Sequence, residues 1–188
     1  MNTHFKKLRT TKKGRIGELI VKKLFDKWGW QYKEAPNRAH GIDFRVITHR
    51  GERIGVDAKT YPRRACCQDN GIDYADFRKY LRFNGRVLLI FIDQYEGMIY
   101  GQYLDELKQR LRVKDKVYFR LSDMTVVRPL TEKEQKRLSK YKLPDFYAEA
   151  DSFFNPVKPV LPRKKSKENE LLRTLFENPD TQRLSCCS

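Results

Sequence analysis

The sequence predicts an α/β fold, a β-sheet flanked by helices. Three observations carry this expectation. Between Ile16 and Trp28 apolar residues recur at helical spacing. Two short segments of alternating apolar residues follow, joined by a turn. Further on, "VLLIFI" (Val87 to Ile92) is apolar at every position, as expected of a strand buried on both faces.

The first helix is expected over Lys12 to Trp28. Ile16, Leu19, Ile20, Leu24 and Trp28 form its stripe, and Val21 and Phe25 widen it. Gly29 is a natural stop. "WQYKEA" (Trp30 to Ala35) reads as a first strand, broken by Pro36-Asn37. In "HGIDFRVITHRGERIGVDAKT" (His40 to Thr60), Ile42, Phe44 and Val46 alternate with Asp43, Arg45 and Ile47. Ile54, Val56 and Ala58 alternate in the same way with Gly55, Asp57 and Lys59. Period two marks half-buried strands, and Arg50-Gly51-Glu52 suits the turn between them. "IDYADFRKYLRF" (Ile72 to Phe83) reads as a helix with Tyr74, Phe77, Tyr80 and Leu81 on one face. "GMIYGQYLDEL" is expected to be a strand leading into a short helix. "KVYFRL" and "TVVRPL" read as late strands, and "TEKEQKRLSKY" as a charged surface helix.

The chain has 188 residues, 39% of them hydrophobic, enough for one ordinary domain with a packed core. Its net charge of +16 points to a polyanionic partner, nucleic acid first and an anionic membrane surface second. No apolar run approaches the roughly 20 residues of a membrane span. The basic start lacks the apolar core of a secretory signal. Cys66-Cys67 and Cys186-Cys187 lack zinc-site spacing and read as free thiols of a reducing compartment. Residues 1–11 are expected to form a basic flexible arm and residues 12–150 the folded domain. Residues 151–188 are expected to be a linker rich in proline and lysine with a C-terminal tail.

The hairpin carries the chemistry. Asp57 and Lys59 are two apart on one strand, so they share a face. Pairing around the turn sets Asp43 opposite or diagonal to Asp57, and Cβ atoms of directly opposed residues lie about 5 Å apart. Carboxylates that close repel unless a cation intervenes, and Mg²⁺ suits such a site because it takes one or two carboxylates with water and phosphate. Glu18, almost alone among basic residues, sits at the edge of the first helix's stripe, where it can reach the sheet. Gly14 and Gly17 flank it and favour close approach of the helix to another backbone.

"GRIGE" (Gly14 to Glu18), "GID" (Gly41 to Asp43) and "VDAK" (Val56 to Lys59), in this order on helix, strand and strand, resemble the PD-(D/E)xK nuclease superfamily. Members with a helical glutamate, such as archaeal Holliday-junction resolvases, are the most similar in pattern. The resemblance covers about residues 12 to 93. It implies a restriction-endonuclease-like αβββαβ core with a central mixed sheet flanked by helices. Two departures stand out. Gly41-Ile42 replaces the proline often found before the first aspartate, and Asp57 replaces the commoner glutamate. The resemblance further implies that Asp43, Asp57 and the Ala58 carbonyl bind Mg²⁺, with Mn²⁺ as a substitute. Glu18 completes the shell through water or a second ion. Lys59 positions or helps deprotonate the attacking water and offsets charge on the phosphate.

The expected activity is hydrolysis of DNA phosphodiester bonds by a metal-dependent endonuclease, selective for branched DNA if the resolvase likeness holds. Two alternatives stand beside it. One is a non-catalytic nucleic-acid-binding protein on the same fold. The other is a nuclease subunit of a larger mobile-element or defence complex. Lys12, Lys13, Arg15, Arg63 and Arg64 are expected to grip phosphates, with His40 a further candidate. A two-fold target favours a homodimer. The tail at 165–178 is a candidate handle for a protein partner. The expected location is cytoplasmic or nucleoid-associated.

Overall fold

In a computed structural model of the chain, residues 9–36, 41–60, 69–107, 111–113 and 115–141 are described. The tail beyond 141, both cysteine pairs, and the candidate DNA contacts His40, Arg63 and Arg64 lie outside them.

Helix α1 runs from Arg9 to Trp28, so it begins within the stretch expected to be a flexible arm. No proline or glycine stands before Lys12 to stop it. It ends as the sequence predicts. Gly29 takes φ 66°, and the Trp30 N–H reaches back to the Phe25 carbonyl at 2.9 Å, a left-handed cap. Strands β1 (Gln31–Glu34), β2 (Phe44–Ile47) and β3 (Arg53–Lys59) form an antiparallel meander. Gly51 turns between β2 and β3 at φ 77°.

The chain then departs from expectation. Ile72 belongs to a strand, β4 (Asp69–Asp73), and helix α2 is short, Tyr74–Tyr80. Pairing explains the switch. β4 lies antiparallel to β8 (Lys116–Arg120), with Ile72 opposite Val117 and Gly71 opposite Tyr118. A Cβ on Gly71 would come within 2.8 Å of the Tyr118 ring. Leu81, assigned by periodicity to the buried face of this helix, is exposed.

Strand β5 (Arg86–Asp93) lies parallel to β3. β6 (Met98–Tyr103) and β9 (Thr125–Pro129) complete an antiparallel flank. The result is a mixed six-stranded sheet ordered β1-β2-β3-β5-β6-β9. A smaller sheet, β4-β8-β7, includes β7 (Leu111–Val113), which the sequence did not reveal. Helix α3 (Glu132–Ser139) carries a full capping box between Thr131 and Glu134.

The continuous apolar run of β5 explains the layering. Leu88, Ile90 and Ile92 face one core with Ile20, Val21, Leu24 and Phe25 of α1 and Leu138 of α3. Val87, Leu89 and Phe91 face a second core with Tyr80 of α2 and with Ile72, Val117 and Phe119 of the small sheet. The central sheet is therefore sandwiched, and its middle strands are the most secluded positions. Ile42 corrects another expectation. It lies just before β2 and packs in the second core, beside Gly55 and Phe83, away from Phe44 and Val46.

Candidate functional site

β3 divides its side chains as the alternation predicts. Ile54, Val56 and Ala58 enter the α1 core. Asp57 and Lys59 project to the other face, toward α2. Phe44 opposes Val56, so the next pair along the hairpin is Asp43 with Asp57. The Asp43 N–H bonds the Val56 carbonyl at 3.0 Å. The Ala58 N–H donates to Asp43 Oδ2 at 2.8 Å. Ala58 thus meets the first acid through its N–H.

Asp57 has no exposed surface. Lys59 Nζ lies 3.1 Å from both of its carboxylate oxygens. It donates to Oδ1, and Oδ2 receives no hydrogen bond. The Lys59 ammonium meets part of the Asp57 charge, and the oxygen that forms no hydrogen bond keeps lone pairs that a second cation could use. Burial and the neighbouring Asp57 charge push the Asp43 carboxyl up to about 8, against the Ala58 N–H, which favours its anion. Burial pulls Lys59 down, but Asp57, Asp43 and Asp76 more than reverse this and hold its ammonium above the ordinary lysine range. Asp43 therefore favours a proton even with Lys59 present.

Asp76 and Tyr80 escaped sequence reasoning. They stand one turn apart on α2, and both are buried. Asp76 Oδ2 lies 3.8 Å from Lys59 Nζ. The Tyr80 hydroxyl donates to the Gly41 carbonyl at 3.4 Å. Burial keeps that phenol protonated, and the Asp57 and Asp76 charges and a hydrogen bond to the Asp57 carboxylate add to this. The available signal was the i,i+4 spacing of Asp76 and Tyr80 after the Lys59 strand, which looked like an ordinary charged helix.

Glu18 is half-buried on α1. Burial raises its carboxyl, Lys22 opposes this, and Glu34 and the more distant Asp57 add to it. Glu18 therefore feels the hairpin acids without joining them. Among the described residues, no group of three or more His, Cys, Asp or Glu side chains is gathered closely enough to hold a metal ion. The donors that fit a divalent cation are Asp43 and Asp57. Gly17 meets the expectation of close approach, since a Cβ there would fall 2.2 Å from Thr60 Cγ2. Gly14 does not, because its surroundings are open.

Lys12 and Arg15 are exposed on α1, as phosphate grips must be. Lys13 differs. It is only 6% exposed, and burial lowers its pKa while Asp93 opposes the shift. In this conformation its side chain is buried, unlike those of Lys12 and Arg15. Its position on the inward side of α1, one turn before Gly17, was hidden by the run of basic neighbours.

Among the described residues no helix is long and apolar enough to cross a membrane. In comparisons with known proteins, the chain matches no family model and no curated sequence.

Proposed function

We propose that the chain is a metal-dependent DNA endonuclease of the PD-(D/E)xK type. The observation that supports this best is the set built across β2 and β3. Asp43 and Asp57 are adjacent, Asp57 is buried, and Lys59 Nζ lies 3.1 Å from both carboxylate oxygens of Asp57. In this reading Asp43 and Asp57 hold Mg²⁺ or Mn²⁺, and Glu18 contributes through water. The bound cation supplies a water of lowered pKa and neutralises phosphate charge. The side chains do the rest. Lys59, an ammonium between carboxylates, offers its charge to the non-bridging phosphate oxygens. It orients the attacking water and does not deprotonate it. The water oxygen bonds phosphorus and gives up one proton to solvent, one P–O ester bond breaks, and the leaving oxygen takes a proton from solvent. Lys12 and Arg15 hold the strand through its phosphates, which confers affinity but little sequence preference. The site lies at the carboxyl end of the parallel β3–β5 pair, the usual place for ligands in sheets with parallel strands.

The separation of Glu18 from the aspartates favours the second reading, a DNA-binding protein on the same fold without activity. Branched, duplex and single-stranded DNA incubated with the protein in Mg²⁺, Mn²⁺ and EDTA distinguish the two. The nuclease reading expects cutting in either metal and none in EDTA. Tight binding of all substrates without any cutting supports the second.

A further inference from the structure

We propose that Asp76 is a positioning residue for Lys59, a role that rests on the nuclease reading above. Lys59 is bracketed by acids from two layers. Asp57, on its own strand, is 3.1 Å from its Nζ, and Asp76, on α2, is 3.8 Å away on the other side. The lysine stem has four rotatable carbons and substantial rotamer entropy, so a single partner leaves the ammonium loosely placed. Two partners from different elements fix it.

The second partner also affects the first. A lysine paired with Asp57 alone would compete with a cation for that carboxylate. Asp76 shares the ammonium, so its charge is divided between the two carboxylates and does not belong to Asp57 alone. Asp76 is itself 3% exposed. A buried carboxylate is expensive unless paired, and Lys79, a further cation 3.8 Å from it, is half in solvent. Tyr80, one turn on, ties the same helix to Gly41, two residues before Asp43. Helix α2 therefore braces both the lysine and the loop that carries the first aspartate.

The test is single-turnover cleavage at saturating DNA by the wild type, Asp76→Asn, Asp76→Ser, Asp76→Glu, Lys59→Ala and the double variant Lys59→Ala/Asp76→Asn. Melting curves establish which variants fold, and the serine variant stands in if asparagine does not. The expected result is a rate about 10²-fold lower for Asp76→Asn, the size of loss that misplacement of a catalytic group brings. DNA affinity in Ca²⁺ is expected to be unchanged, Glu to restore most of the rate, and the Asn change to add nothing once Lys59 is Ala. A wild-type rate in Asp76→Asn overturns the role of Asp76 alone. So does an equal loss on the Lys59→Ala background, because a merely structural effect would persist there. A wild type that cuts no DNA overturns the nuclease reading and this role with it.

Discussion

Divalent cation binding at the hairpin is predicted to expel a proton. Burial and the Asp57 charge hold the Asp43 carboxyl at about 8 in the metal-free protein. At pH 6 that group is well below its midpoint, so emptying it costs roughly 3 kcal/mol. Any cation that needs the anion therefore binds about 100-fold more weakly at pH 6 than well above pH 8, changing about tenfold per pH unit in between. Titration calorimetry with Mn²⁺ at pH 6, 7 and 8 tests this, with buffers of different ionisation enthalpy used to count protons. The count is expected to be near one at pH 6 and to fall toward one half near pH 8. Asp43→Asn is expected to remove the proton release. An affinity independent of pH, with no proton released by the wild type, would refute the reasoning. Folding of the metal-free chain obeys the same linkage. The raised carboxyl makes the folded state bind more protons than the unfolded one between about pH 4 and 8, so this group's contribution to stability falls as pH rises through that window.

Three further outcomes follow from the packing. Glu134 is held at about 2. Burial raises it, but hydrogen bonds from Arg128 and Thr131 outweigh that, so it contributes stability above about pH 4.5 that is lost as pH falls toward 2. Glu134→Gln should flatten this acid limb in denaturant titrations, with a loss of up to about 3 kcal/mol at neutral pH. Phe25 is fully buried among Trp28, Trp30, Tyr32 and Phe44, so Phe25→Ala should cost about 3–5 kcal/mol and alter the tryptophan fluorescence. Gly17→Val places its side chain against Thr60 and Ile92. It should destabilise by about 1–3 kcal/mol, and Thr60→Ser should recover part of the loss in a double-mutant cycle.

Local patterns gave away the elements that form a repeating face. The stripe of α1, the alternation of β2 and β3 and the unbroken apolar run of β5 each match a period set by the backbone. The hairpin register that brings Asp43 to Asp57 was legible for the same reason. β4 was not, because "GID" before Tyr74 becomes a strand only through pairing with β8, more than forty residues along the chain. That pairing also shortened α2. Asp76 was missed because an acid among Arg78 and Lys79 looks solvated, and only the packing of α2 into the second core buries it. The burial of Lys13 was not legible for the converse reason, since a basic run does not show which member turns inward.

The central claim is that Asp57 holds the cation on which DNA cleavage depends. Its most direct test is the single-turnover cleavage rate of Asp57→Ala beside the wild type, in Mg²⁺ and in EDTA, with melting curves to confirm that both are folded. The prediction is cutting by the wild type in Mg²⁺ alone and a loss of at least about 10³-fold in the variant, as expected when a metal supplies several kcal/mol to the transition state. Wild-type cutting that persists in EDTA, or Asp57→Ala cutting at the wild-type rate, would contradict it.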